Sequence, residues 1–503
     1  MARESRIGWM SFLFFLGAMA LTPCLAEDVT SGAKNADNRP ASLRALPAEV
    51  ATSHKITISG EKVAFTARAG AVQLNEARSN APLADVAFTS YERVGVDPLT
   101  RPIVFVFNGG PGAASAWLGL GALSPWRLRF STEPSSPSTP PIVIDNAESW
   151  LAFADLVFVD PPGTGYSVII GDNEDLKKQF YSVQGDVDAL AVVVRKWLTT
   201  HRRLASPKYL VGESYGGFRV VKLVRALRER ESVSINGLVL VSPVLDFAWQ
   251  DSSRNLLSFA GYLPSFAAVA RDAKDRAILA DVETYAANEY VTDLLKGVND
   301  ADALSRLSTN VERFTGLGQL TVKQLGGRID VKTFSRERRR GAERVLSFYD
   351  GGVSGLDPAP FTRESDWPDP LLDSFRVPLG AAMVRLTAEK LEWRIGDARY
   401  EILNDKIAND WDFGREGRSN AEAVSDLRQA LAFDSSLKVL VVHGVADLVT
   451  PYFVTKLLLD QLPAFGDSPR IRLVVLPGGH MSYIRDDSRR ALRDDARTLI
   501  EQK

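Results

Sequence analysis

Residues 209–223 read YLVGESYGGFRVVKL. An apolar run leads into a serine set among three glycines and a tyrosine, and a basic amphipathic stretch follows. Gly212-Glu213-Ser214-Tyr215-Gly216 fits G-x-S-x-G, the sharp strand-to-helix elbow that lifts a hydroxyl above the end of an α/β sheet. A serine in a glycine-rich turn can also do no more than cap the helix that follows. The two readings part on the rest of the chain. A nucleophile needs a base, an acid and oxyanion donors at other strand ends, and a cap needs none of them.

Outward from this stretch, short apolar runs recur: DVAFTSYER (85–93), PIVFVFNGG (102–110), DLVFVDPPG (155–163), LVLVSPVLD (238–246), KVLVVHGVAD (438–447) and IRLVVLPGGH (471–480). All but the first are near-continuous and end in turn residues, as does the run before Ser214, which is the pattern of central strands buried on both faces. Helical patterns separate several of them, such as DVDALAVVVRKWLTTHRRL (186–204), with an aspartate at its start and basic residues in its last turn. Alternation of this kind predicts an α/β fold with a doubly wound, mostly parallel sheet, whose ligand crevice lies outside the carboxyl ends of the strands. The first part of this domain spans 48–246 and the second 437–503. Between them, residues 247–436 are charged and helix-rich without strong strand runs, about 190 residues in length, near the size of a small domain. We read them as a helical cap over the crevice, the alternative being a helical domain tethered alongside.

A serine hydroxyl becomes nucleophilic when a base takes its proton, and the base needs a carboxylate to fix its tautomer. The chain has four histidines, His54, His201, His443 and His480. In the order Ser, acid, His, Asp447 after one late strand and His480 after the next complete the set, whereas His443 at the tail of its strand reads as a packed or turn residue. His54 and His201 fall in an N-terminal segment and at a helix end. One oxyanion donor is the N–H of Tyr215, the residue after the serine; the other comes from FNGGPGAAS (107–115), where Gly110 brings its amide close to substrate. That stretch lacks the Gly-Lys-Ser/Thr ending of a phosphate-binding loop. Four functions at four strand ends favour a serine hydrolase over a cap.

Composition narrows the partners. With 503 residues, 45% hydrophobic, 24% charged and a net charge of -2, the chain has a large core and no nucleic-acid footprint, and the cluster SRERRRGAER (335–344) reads as a solvated helix face. No metal cluster or cofactor is implied. Arginines at 3 and 6, an apolar run from Ile7 to about Leu21 and small residues ending at Ala26 form a secretory signal peptide (1–26), followed by a flexible leader (27–47). The one cysteine, Cys24, precedes the cut, and Pro23 argues for simple cleavage over lipid attachment. An exported chain without disulfides suits a bacterial periplasm, or secretion from such a cell.

NGGPG (108–112), NAESW (146–150), VDPPGTGYS (159–167), GESYGG (212–217), GVADLVTP (444–451) and GGHM (478–481) resemble the serial motifs of the serine carboxypeptidase family. The resemblance implies an α/β-hydrolase fold, a triad of Ser214, Asp447 and His480, oxyanion donors Gly110 and Tyr215, and release of C-terminal residues from peptide substrates. It also implies that Asn108 and Glu213 hold the substrate's terminal carboxylate. The second glutamate of that subsite is absent, its place falling at Ala122, and Val106, Ala113 and Ala114 depart from the eukaryotic pattern, so the sequence resembles a bacterial branch most. With no like-charged neighbour at Ala122, the Glu213 carboxyl is expected to titrate lower than in a glutamate pair. An esterase or acyltransferase on the same triad, or a silent binding protein that kept the fold, are the competing functions.

Overall fold

In the computed structural model, which describes residues 45–130, 137–138, 140–171, 174–250, 255–362, 366–466 and 469–502, the apolar runs form the middle of one sheet. The strands are β1 (Val50–Ile58), β2 (Glu61–Asn75), β3 (Pro82–Arg93), β4 (Ile103–Phe107), β5 (Trp126–Leu128), β6 (Val143–Asp145), β7 (Asp155–Val159), β8 (Val168–Ile169), β9 (Lys208–Glu213), β10 (Gly237–Val241), β11 (Arg344–Leu346), β12 (Ser354–Leu356), β13 (Lys438–Gly444) and β14 (Ile471–Leu476). Ten form one sheet in the order β1-β2-β3-β7-β4-β9-β10-β13-β14, with β8 beside β3. From β7 to β14 every pairing is parallel. The N-terminal strands β1, β2 and β3 join antiparallel; β1 and β2, absent from these apolar runs, alternate instead, β1 between exposed and less exposed residues and β2, over part of its length, between buried and half-buried ones.

The near-continuous runs have a direct cause. Along β4, Val104 and Val106 enter a core on one face while Ile103, Phe105 and Phe107 enter the core on the other. A polar residue at any of the five would be buried. β14 departs from the expectation: it is the last strand of the sheet, and five of its six residues retain some exposure. The helix expected at 186–204 is Val183–Thr200. Ser182 caps it by accepting the Gly185 N–H, and His201 follows its end.

Residues 247–436 add to three cores. Helices Leu256–Ala270 and Ala301–Thr315 build a third cluster with Val445, Leu448 and Tyr452 beyond β13. Helix Leu372–Glu389 sends Phe375, Leu379 and Met383 into the first core, and helix Val424–Phe433 sends Leu427 and Leu431 into the second. At roughly 1.5–3 kcal/mol for each large side chain buried, this segment is a major source of stability. Residues Arg44–Lys503 cluster as one compact unit.

Two expectations need correction. Arg336, assigned to a solvated face, is buried, facing Asp357 at 3.4 Å and donating to the carbonyls of Ala359 and Thr362. The end of the assigned leader is anchored: Ala45 and Leu46 N–H donate to Asp85 Oδ2 at 2.7 and 3.1 Å, and Leu46 is buried. The proposed signal peptide with Cys24 and most of the leader lie outside the described residues. Among those described, no helix is long and apolar enough to cross a membrane.

Candidate active site

Strand β9 ends at Glu213 and the helix Tyr215–Glu231 begins two residues later, so Ser214 alone makes the turn. Its backbone sits at φ 60°, ψ -124°, a strained conformation for a side-chain-bearing residue that costs about 1–3 kcal/mol. Hydrogen bonds hold it there: Ser214 N–H donates to Val241 O at 3.0 Å, and Ser214 O accepts from Gly217 at 2.9 Å. The loop after β4 presses against this elbow. A Cβ on Gly109 would lie 2.6 Å from Tyr215 N, and one on Gly216 would lie 2.6 Å from Phe107 O, so neither position admits a side chain. Among the described residues no acceptor takes the N–H of Gly110 or Tyr215, the two groups expected to face an oxyanion.

His480 follows β14 and is buried. Its Nδ1 faces Asp447 Oδ2 at 2.9 Å and the Thr450 hydroxyl at 3.1 Å, and its backbone N–H donates to Tyr349 O at 2.5 Å. Asp447 is fully buried; its Oδ1 accepts the N–H groups of Val449 and Thr450 at 2.8 and 3.0 Å, and its Oδ2 lies 2.8 Å from the Thr450 hydroxyl. Burial disfavours the charged imidazole, but the charge and hydrogen bond of Asp447, joined by the charge of Glu213, outweigh it and hold His480 above the ordinary imidazole range. No hydrogen bond joins the Ser214 hydroxyl to His480 here, although both line one cavity; such bonds often tighten only around substrate.

That cavity, of about 110 Å³, is also lined by Asn108, Gly110 and Glu213 and by apolar side chains including Trp117, Leu372, Leu403 and Met481. Glu213 is buried, with Asn108 Nδ2 donating to its Oε2 and the Tyr483 hydroxyl 2.9 and 3.0 Å from its two oxygens. Burial pushes its carboxyl up to about 7 against the opposing charge of His480 and the two hydrogen bonds. The comparison with a glutamate pair counted only charged neighbours, whereas here desolvation is the largest influence on the carboxyl. Asn108 is itself fixed, its Oδ1 accepting Leu118 N–H at 3.0 Å and its carbonyl accepting from Arg219. Arg219 is paired in turn with buried Asp186 at 2.7 Å.

The structure thus gathers Asn108, Gly110, Glu213, Ser214, Tyr215, Asp447 and His480 at one crevice. The other histidines lie elsewhere. His443 is buried within β13 against Thr455, His201 stacks on Trp197 and His54 bonds Thr52. Sequence reasoning missed Tyr483, Tyr349, Thr450 and the Arg219–Asp186 pair. Thr450 and Tyr483 stood within three residues of Asp447 and His480, the one signal available; Tyr349 comes from a distant segment and had none. Among the described residues no group of three or more His, Cys, Asp and Glu side chains could hold a metal ion.

The sequence model of the serine carboxypeptidase family matches residues 60–311, which include Ser214 and the Asn108 loop. The chain belongs to the serine carboxypeptidase family. Serine carboxypeptidase-like 46 of Arabidopsis thaliana is 27% identical over 202 residues, covering 38% of this chain and 39% of that protein. The pheromone-processing carboxypeptidase KEX1 of Yarrowia lipolytica is 22% identical over 378 residues, covering 72% of this chain and 52% of that one. The chain therefore spans from about two fifths to half the length of these relatives. In three dimensions it is similar to the prohormone-processing carboxypeptidase KEX1(delta)p of Saccharomyces cerevisiae, with a TM-score of 0.54 at 16% identity, covering 87% of this chain and 90% of that one. The shared fold is that of the α/β hydrolases. Asp447 and His480 lie beyond the matched span, so their assignment rests on geometry.

Proposed function

We propose that this member of the serine carboxypeptidase family releases C-terminal residues from peptides through an acyl-enzyme on Ser214. The observation that carries the reading is the buried Asp447–His480 pair, whose His480 lines the same cavity as Ser214, Glu213 and Asn108. His480 Nε2 takes the Ser214 proton as Oγ attacks the scissile carbonyl. The N–H groups of Gly110 and Tyr215 receive the oxyanion, and the proton passes from His480 to the departing amine. Water then repeats the sequence against the ester, with His480 again as base. Asn108 and protonated Glu213 take the terminal carboxylate of the substrate, because a neutral carboxyl donates a hydrogen bond where an ionised one repels. The apolar lining favours apolar side chains beside the scissile bond, since among the described residues Glu213 and His480 are the only acidic and basic side chains that line the cavity. We read residues 247–436 as the cap that supplies Leu372, Leu403 and Tyr349 to this lining.

An esterase or acyltransferase is the second reading, favoured by Glu213 itself: a carboxyl that titrates at about 7 loses its proton as pH rises, the same direction that frees His480 to act as base, so substrates without a free carboxylate are handled well there. The test is mass spectrometry of a peptide library incubated with the protein, beside labelling by a fluorophosphonate. Ladders shortened from the C-terminus and a label on Ser214 are expected, both lost in Ser214→Ala, with His480→Ala reducing kcat on the order of several thousandfold. Intact peptides beside hydrolysed esters give the second reading. Label surviving in Ser214→Ala overturns both.

A further inference from the structure

Tyr483 lies one turn beyond His480 and is buried, its ring filling the space left by a missing side chain: a Cβ on Gly121 would sit 2.5 Å from Tyr483 Cε2. Gly121 belongs to the short π-helical turn Gly119–Leu123, which carries no titratable residue. The same turn is fixed from behind by Asn146, whose Nδ2 donates to Ala122 O at 2.6 Å and Ser124 O at 2.8 Å. The phenol therefore has one place to go, the two oxygens of Glu213. Among the described residues no other carboxyl hydrogen-bonds to Glu213.

We propose that Tyr483 is the positioning residue of the carboxylate-binding end of the site, clamping the Glu213 carboxyl against Asn108 so that recognition of a substrate's terminal carboxylate turns on one proton, that of Glu213. This rests on the carboxypeptidase reading. A phenol with one hydrogen can bond either oxygen of an ionised Glu213, and it can equally bond the carbonyl oxygen of the protonated form, which leaves the acid hydrogen for the substrate. The groups that face Glu213 are Tyr483 from the turn after β14, Asn108 from the loop after β4, His480 and Asp447 from the loops after β14 and β13, and Tyr349 from the segment 347–353. Burial raises the carboxyl and Asp447 adds to it, while His480, Tyr483 and Asn108 oppose the rise. Tyr483 keeps its proton throughout, held well above the ordinary phenol range by burial and the neighbouring carboxylate.

The readout is the ratio of kcat/KM for a peptide with a free C-terminus to that for the same peptide amidated, across pH 5 to 9. Effects on the triad are common to both substrates and cancel. In the parent the ratio is level at low pH and falls tenfold per pH unit as Glu213 ionises. Tyr483→Phe removes a donor that favours the anion, so the midpoint moves up by about one pH unit. Replacing Tyr483 by 3-fluorotyrosine, a stronger donor of nearly the same shape, moves it down, and this variant serves if the phenylalanine one fails to fold. Glu213→Gln makes the ratio level across the range, and adding Tyr483→Phe to it changes nothing further. A midpoint unmoved by either change at 483, with Glu213→Gln level, overturns the role of Tyr483 and leaves the carboxypeptidase reading standing. A fall of a hundredfold per pH unit overturns the single proton. A Glu213→Gln ratio that follows the parent overturns the reading itself.

Discussion

At the scale of single residues, the site sets two acid–base groups against each other. His480 must be neutral to accept the Ser214 proton, and Asp447 and Glu213 hold it protonated to a higher pH than a free imidazole. With a blocked ester, which has no carboxylate for Glu213 to bind, kcat should therefore rise with pH through a limb above 6.5, the ordinary imidazole value. Glu213→Gln removes one of the two negative charges and should move that limb down. A stopped-flow kcat–pH series on parent and variant measures both; a limb at or below 6.5 in the parent, or one that the variant leaves in place, rules out the coupling. Glu213 also marks where residue-level reading of a sequence ends. Its identity and place before Ser214 were legible from the elbow motif, but its titration was not, because desolvation depends on Tyr483, Gly121 and the other residues packed around the cavity, and none of these contacts is local in the chain.

At the scale of elements, the parallel strands from β4 to β13 and their order along the chain were legible, because burial on both faces writes an unbroken apolar run. β1 and β2 were not, since a half-exposed antiparallel strand alternates and competes with loop patterns. Nor was the segment Ser347–Val353 legible as part of the site. It reaches both loops that carry the acid and the base: Tyr349 O accepts from His480, Phe348 O accepts from Leu448 at 3.0 Å, and Gly351 N–H donates to Ala446 O at 3.0 Å. Asp350, buried, is tied to Arg485 at 2.7 Å. The contact leaves no room at Gly479, where a Cβ would lie 2.0 Å from Tyr349 O and 2.5 Å from the Asp350 Cα. Gly479→Ala must push this segment off the His480 loop. Because an error of about 1 Å in a catalytic group costs on the order of a hundredfold, kcat should fall by that order for esters and peptides alike, with the protein still folded by circular dichroism. A loss confined to peptides would instead place the segment in substrate binding, and no loss would show that the loop tolerates the displacement.

At the scale of the whole molecule, buried titratable groups make stability depend on pH, and they pull in opposite directions. Burial raises Asp160 to about 6, against hydrogen bonds from Ser115 and Tyr400, and Glu213 to about 7. Both folded values exceed the unfolded ones, so their contribution is present in acid and lost as pH rises through the folded values. His443 acts the other way. Fully buried within β13, with Nε2 2.9 Å from the Thr455 hydroxyl, it is pushed down to about 4, burial and the charge of His480 outweighing the charge of Asp447. Above pH 6.5 the imidazole is neutral folded or unfolded and nothing depends on pH. Between 6.5 and 4 the unfolded chain takes up a proton that the folded chain refuses, so stability falls as pH falls; below 4 both forms are charged and the loss stops. At about 1.4 kcal/mol per pH unit, the full loss is about 3 kcal/mol. His443→Gln keeps an amide nitrogen near the position of Nε2 and does not titrate, so subtracting its urea-unfolding free energy from the parent's removes the contributions of Asp160 and Glu213. That difference should be constant above pH 7 and turn against the parent by about 3 kcal/mol on descending to pH 4. A difference that stays flat from pH 7 to pH 4 would mean that His443 titrates alike in the folded and unfolded chain, and that its burial in β13 carries no electrostatic cost.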